Sequence, residues 1–234
     1  MRTFAHLHAT YDDASTFRAA LPPLPAGRYR AYGDVVYEIG SDRTFQASID
    51  ITSADSAAAD PAAADPDDAW ISRVKPVPRF GPNVVDTLAD NSTLAWVTDG
   101  ATEVRAGRET PLRFVVRDAS GKSAILEPYL GMSAHAVVMR DDGSVYIHLH
   151  PMGTVSLAAQ QSFLLRDRGD TTAQGRLRLD ESGSAAPSSG HTMPLTGEFS
   201  FPYEFPDAGN YRVWVQVKRD GRILTGAFDV QVKS

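Results

Sequence analysis

Hydrophobic and polar residues alternate in short runs along most of this 234-residue chain, which is the pattern of β-strands. Towards the C-terminus the pattern predicts strands at residues 92–97, 103–106, 111–116, 197–201, 211–218 and 222–232, and a hairpin over 135–150. Residues 29–37 and 44–51 predict a further hairpin nearer the N-terminus. No segment keeps apolar residues at a sustained helical spacing. The chain is therefore predicted to be all-β, with about seven C-terminal strands forming a sandwich.

Composition suggests two modules and a linker. Residues 53–68 are almost entirely Ala, Asp, Pro and Ser, so they predict a flexible acidic linker, which continues as a connector to residue 82. Residues 1–52 are predicted to form an incomplete β module. Residues 83–234 are predicted to form a complete sandwich that carries a polar, Ser- and Gly-rich insertion at 165–194.

The two predicted modules share matched positions. Residues 4–8 (Phe-Ala-His-Leu-His) match residues 146–150 (Tyr-Ile-His-Leu-His), and residues 17–35 align without gaps on 199–217. We interpret the chain as one unit used twice, that is, as two tandem modules of which the first is incomplete at its N-terminus. Two or three strands are missing from the first copy. Either the chain starts inside a module, or another module or copy supplies the missing edge.

The strongest chemical signal is the predicted hairpin at residues 135–150. Asp142-Gly143 is a favoured pair for the type I′ turn, which requires positive φ at both positions. A turn centred there places His150 opposite His135, and His148 opposite Val137. Because side chains alternate between faces, the three imidazoles would then lie on one face of the sheet. A register shift of one residue would move His135 to the other face.

A trio of imidazoles on one rigid hairpin predicts a transition-metal site. Neutral imidazole binds copper, zinc or nickel, and a nearby thioether adds preference for Cu(I). Met132, Met139 and Met152 are the candidate thioether ligands. The competing interpretation is that the histidines line a solvated sheet face or belong to a packing motif in which Leu149 fills the core.

Two smaller candidates accompany this site. His6 and His8 are spaced like His148 and His150, but their hairpin partner would have to precede Met1. His191 lies in the predicted insertion, where it is a weak candidate for a lid over the trio.

Several functional classes are disfavoured. A net charge of -6 without a basic stripe argues against nucleic acid as a partner. The chain has no cysteine and hence no thiolate site, and it has no run of about 20 apolar residues that would span a membrane. No nucleophile elbow, phosphate-binding glycine loop or His-Glu-x-x-His motif occurs, so we expect no enzyme. The acidic run at residues 65–68 is assigned to the linker.

One stretch carries a family resemblance. Leu-Glu-Pro-Tyr-Leu-Gly-Met at residues 126–132, followed by His135 and by His-Leu-His-Pro at 148–151, resembles bacterial extracytoplasmic immunoglobulin-like domains of the YtkA-like, FixH-like and CopC-like kind. The resemblance implies an immunoglobulin-like fold, copper handling, and His135, His148 and His150 as ligands. It also implies a periplasmic or secreted location, although the N-terminus shows no signal peptide. Tyr211, preceded by Asp-Ala-Gly-Asn, resembles the tyrosine corner of such sandwiches.

The expected function is therefore non-catalytic binding of copper, or of zinc, for buffering or for delivery to a protein partner in the cell envelope. The alternative is a structural or interaction sandwich that binds a protein or carbohydrate without metal. Tyr32, Trp214 and Tyr203 are its candidate contact residues.

Overall fold

The computed structural model describes residues 1–13, 16–53, 65–72, 84–99, 101, 103–151, 153–155, 157–177 and 195–234. Most of the secondary structure in these residues is β, which confirms the predicted all-β class. The elements are β1 (Thr3–His6), β2 (Thr10–Asp13), β3 (Thr16–Arg18), β4 (Gly27–Val36), β5 (Asp42–Ile51), β6 (Ala69–Ser72), β7 (Val84–Thr87), β8 (Thr93–Val97), β9 (Val104–Arg105), β10 (Leu112–Arg117), β11 (Ile125–Leu126), β12 (His135–Arg140), β13 (Tyr146–Leu149), α1 (Leu157–Asp167), β14 (Leu195–Thr196), β15 (Glu198–Phe201), β16 (Gly209–Arg219) and β17 (Arg222–Lys233).

The chain divides into two compact units. Unit 1 comprises Met1–Pro25, Ser53–Thr154 and Pro194–Ser234, and unit 2 comprises Ala26–Thr52 and Val155–Met193. This division differs from the boundaries drawn from the sequence. The first 25 residues group with unit 1 because β1 pairs with β6, which lies in the predicted connector.

Unit 1 contains a sandwich of two sheets. One sheet has the strand order β15-β10-β8-β7, and the other has the order β13-β12-β16-β17-β9. Their inner faces share one apolar core. In it the Phe228 ring of β17 lies 5.8 Å from Trp96 and 5.4 Å from Phe114 of the opposite sheet, between ring centroids. Burial of these aromatic side chains is the main force that holds the two sheets together.

The β12–β13 hairpin has the predicted register. Val137 pairs with His148, and Ala136 pairs with Leu149. The predicted turn type is wrong, because Gly143 has φ 75° while Asp142 does not have positive φ. Residues 141–144 form a four-residue loop, closed by the bond from the Arg140 N–H to the Val145 carbonyl at 3.0 Å. This loop has the same centre as the predicted two-residue turn, so the pairing is unchanged.

A two-stranded ribbon of β1 and β6 lies over the outer face of the five-stranded sheet. The Phe4 ring of β1 stacks on Trp214 of β16, with centroids 4.9 Å apart and 15° between the planes. In β1, His6 pairs with Ala69 of β6. The expectation that the partner of the His6 strand precedes Met1 is therefore wrong, because residues 69–72 supply that partner.

Tyr211 makes the hydrogen bond that is expected of a tyrosine corner. The Tyr211 hydroxyl donates to the Asp207 carbonyl at 2.8 Å. The bond holds the start of β16 against the loop before it, as such corners do in immunoglobulin-like sandwiches.

Unit 2 combines the long β4–β5 hairpin, as predicted, with helix α1, which the sequence pattern did not predict. The hairpin pairs from Gly27 with Ile51 to Val36 with Asp42. In α1, Arg166 donates to the Glu38 carbonyl at 3.0 Å. The helix has no continuous apolar stripe, and its Phe163 is 53% exposed, which explains why periodicity missed it. Among the described residues, no helix has the length and apolar character needed to cross a membrane.

Candidate metal centre

Five histidines from distant parts of unit 1 gather on the outer face of the five-stranded sheet. His135 comes from β12, His148 from β13, and His150 directly follows β13. The ribbon supplies His6, the last residue of β1, and His8 lies two residues further on. Alternation along each strand sends these side chains to one side while Ala136 and Val138 enter the core.

The two His-Leu-His segments face each other across this cluster. The His6 and His148 ring centroids are 4.8 Å apart. Within the segments, the His6–His8 distance is 4.9 Å and the His148–His150 distance is 4.6 Å. Two imidazoles that share one ion, with bonds of about 2.0–2.1 Å, have centroids roughly 4.5–5.5 Å apart. The spacing of these rings therefore fits shared coordination.

The ligand atoms of His6, His135 and His148 all lie within 4.8 Å of one another. The Nε2 atom of His148 is 3.2 Å from Nδ1 of His135. That distance suits a shared proton, and it also suits two ligands on one ion, whose nitrogens lie about 2.9–3.4 Å apart. The position of the hydrogen between them depends on the tautomers.

His135 is the most buried member of the cluster, with 2% of its surface exposed. Burial, reinforced by the neighbouring His148 and His150, lowers its pKa to about 2. The imidazole is therefore neutral at physiological pH, which is the form that binds metal. Among the described residues, its buried Nε2 has no hydrogen-bond partner.

Gln216 fixes the tautomer of His6. Its Oε1 lies 2.7 Å from His6 Nδ1, and its Nε2 donates to Thr225 Oγ1 at 3.3 Å. Because a carbonyl oxygen can only accept, His6 Nδ1 carries the hydrogen. Its Nε2 then carries the lone pair that would bind an ion. Such partners commonly orient metal-binding histidines.

Tyr129 packs against the same histidines. Its ring centroid is 4.7 Å from that of His135, and its hydroxyl donates to the Asp67 carbonyl at 3.1 Å while lying 3.2 Å from His6 Nδ1. Burial raises the pKa of Tyr129, so the phenol stays protonated. A tight turn positions it, with Leu130 at φ 49° and Gly131 at φ 77°. The turn at Leu130 and Gly131 therefore has two consecutive positive φ values, which the turn at 142–143 does not have.

An acidic loop borders the cluster on the ribbon side. Asp68 Oδ1 lies 3.1 Å from His8 Nδ1, and Asp67 forms an ion pair with Lys218 at 2.6 Å. A second group of possible ligands consists of His8, Asp65 and Asp68. The sequence does not mark these carboxylates as site residues, because they end a low-complexity run that predicts a linker. The matching His-Leu-His segments were the one signal that could have placed His6 at the site.

Of the other predicted site residues, His150 lies beside the cluster and the two methionines that the structure describes are held in packing contacts. His150 adjoins the converging group, with its ring 4.9 Å from His135. Met132 is buried and pairs through its backbone with Tyr129, while Met139 packs on the outer apolar cluster around Trp214. Met152 lies outside the described residues, as does His191.

Two of the contact residues of the alternative interpretation are not available at the surface. Trp214 is 2% exposed and Tyr203 is 8% exposed. Both side chains are part of the packing of unit 1 and cannot serve as exposed contacts for a protein or carbohydrate.

Comparison with known proteins places the chain in one family. The profile of a family described as Domain of unknown function (DUF8832) matches residues 88–234. This range contains His135, His148 and His150, and it begins after the two strands of the ribbon, so that His6 and His8 lie outside it. No curated protein and no solved structure matches the chain.

Proposed function

The chain belongs to the DUF8832 family, and we propose that it binds a transition-metal ion without catalysis through His6, His135 and His148, with His150 at the edge of the site. The observation that carries this proposal is the convergence of three imidazole ligand atoms within 4.8 Å of one another. Two of these nitrogens, His148 Nε2 and His135 Nδ1, are 3.2 Å apart, which is the separation of two ligands on one ion.

Packing alone is a poor explanation for this cluster. A buried polar atom without a hydrogen-bond partner costs about 1–3 kcal/mol. Among the described residues, the Nε2 atom of His8 is in this condition. Apolar side chains of similar size would fill the same space without that cost. Polar groups that a fold retains at such a cost are candidates for function.

Copper is the first choice of ion. An all-imidazole ligand set suits copper, nickel and zinc, and the general order of affinities places Cu(II) highest. Zinc is the second choice, because it also accepts three histidines in a tetrahedral site. Three neutral imidazoles leave the charge of the ion uncompensated, and the carboxylates beside His8 reduce that deficit.

The expected role is buffering of the ion or delivery to a partner in the cell envelope, in keeping with the resemblance to copper-handling domains. Partial exposure of His6 and His148 supports exchange, because an incoming ligand can reach the ion from their side.

Copper titration of the metal-free chain tests the proposal. We expect one Cu(II) ion per chain at micromolar protein, measured by metal analysis and by competition with a chelator of known affinity. The His6→Ala/His135→Ala/His148→Ala variant should lose this binding. Gln231→Ala, on an exposed position of β17, is the control and should bind as the wild type does. Unchanged binding in the triple variant, with melting temperature preserved, contradicts the proposal.

A further inference from the structure

His8 has two different nitrogen environments. Its Nδ1 lies 3.1 Å from Asp68 Oδ1, and the same oxygen accepts the backbone N–H of His8 at 2.6 Å. Its Nε2 is buried and makes no hydrogen bond within the part of the chain that the structure describes. The Asp68 side chain is 9% exposed, so little water competes for these bonds.

The position of the hydrogen follows from this geometry. A carboxylate can only accept, so His8 Nδ1 donates to Asp68 and carries the hydrogen. In the neutral imidazole, Nε2 then holds the lone pair. The His8 ring centroid is 4.9 Å from that of His6, within the range of about 4.5–5.5 Å for two imidazoles on one ion.

We infer that His8 is a further ligand of the ion at the histidine site, through Nε2, and that Asp68 is the residue that positions it. This inference rests on the proposed function. A carboxylate behind a metal-binding histidine fixes the ring orientation and raises the basicity of the ligand nitrogen.

A separate cation site at His8, Asp65 and Asp68 is the competing assignment, because their ligand atoms also lie within 4.8 Å of one another. An ion there would occupy His8 Nδ1 and force the hydrogen onto the buried Nε2, which has no acceptor among the described residues. The carboxylates already accept backbone N–H groups, since Asp65 Oδ1 accepts from Asp67 at 2.8 Å. With His8 as a ligand of the histidine site, both of its ring nitrogens have partners, because Nδ1 donates to Asp68 and Nε2 binds the ion.

Cu(II) binding to the full chain and to a set of variants tests the inference. His8→Ala removes the ligand, Asp68→Ala removes the positioning carboxylate, and Asp68→Asn keeps an acceptor oxygen for both His8 bonds. Asp67→Asn is the matched control, because it makes the same charge change beside the site but removes only the pair with Lys218. Stoichiometry comes from metal analysis, affinity from chelator competition, and ligand identity from the nitrogen couplings in electron paramagnetic resonance.

The expected result is one copper ion per chain in every form. Asp68→Ala should weaken binding about 10- to 100-fold, the usual effect of losing such a partner. His8→Ala should weaken it at least as much and change the nitrogen couplings, while Asp68→Asn should recover most of the affinity. The His8→Ala/Asp68→Ala double variant should bind copper as tightly as His8→Ala does. If Asp68 had only a structural role, the double variant would bind copper more weakly than His8→Ala.

Three results overturn the inference. The first is wild-type copper affinity in both His8→Ala and Asp68→Ala, which would show that His8 is not a ligand. If His135→Ala still lost copper in the same experiment, the proposed function would stand without this inference. Two ions per chain, one of them lost in Asp65→Asn, would establish the separate cation site instead. A wild-type chain that binds no copper refutes the proposed function together with this inference.

Discussion

Acidification should destabilise the metal-free chain through His135. The perturbation is a change from pH 7 to pH 5 in the presence of a chelator, compared between the wild type and His135→Gln. Glutamine is polar, of similar size and does not titrate. His135 has 2% of its surface exposed, and its pKa in the folded chain is lowered to about 2 by burial and by the neighbouring histidines.

The sign and size of the effect follow from proton linkage. The folded pKa lies below the unfolded value of about 6.5, so below pH 6.5 the unfolded chain binds a proton that the folded chain does not. Stability contributed by neutral His135 is therefore present above pH 6.5 and is lost as pH falls towards 2. The slope approaches about 1.4 kcal/mol per pH unit, which gives a loss of about 2 kcal/mol between pH 7 and pH 5.

Urea unfolding measured at both pH values provides the assay. The wild type should lose about 2 kcal/mol more than His135→Gln between pH 7 and pH 5, a substantial part of a typical domain stability of about 5–15 kcal/mol. The comparison uses the change in unfolding free energy between the two pH values. The packing cost of the substitution is the same at both pH values, so it cancels. Equal losses in the two proteins would show that His135 takes up its proton in the folded state, against the reasoning from burial.

Two further predictions concern the framework of the site. Trp214→Ala should cost about 3–5 kcal/mol in chemical unfolding and should increase proteolysis at the N-terminus, because Phe4 loses the ring it stacks on; an N-terminus as resistant as in the wild type would contradict this. Tyr211→Phe should cost about 0.5–1.5 kcal/mol, because it removes only the bond to the Asp207 carbonyl; a loss above 3 kcal/mol would point to repacking.

The hairpin of the site could be predicted from sequence because its register depends on local signals. Alternation of apolar residues and the central position of Asp142-Gly143 were sufficient to pair Val137 with His148. The turn type was wrong because a four-residue loop has the same centre as a two-residue turn. The strand register can therefore be predicted correctly even when the backbone dihedral angles of the turn are not.

The ribbon could not be predicted because its pairing joins segments more than 60 residues apart. No local signal specifies that His6 pairs with Ala69. Composition also concealed Asp68, whose carboxylate bonds to His8, at the end of a low-complexity run. Alternation can place a histidine on a face of its own strand, but it cannot identify the segment that covers that face.

Counting the imidazoles on bound copper tests the account most directly. Pulsed electron paramagnetic resonance of the copper-loaded chain should detect at least three coordinated imidazoles, one of which disappears in His6→Ala. That loss would require the N-terminal ribbon and the β12–β13 hairpin to hold the same ion. A copper spectrum with oxygen ligands and at most one imidazole, unchanged in His6→Ala, would contradict a site shared between them.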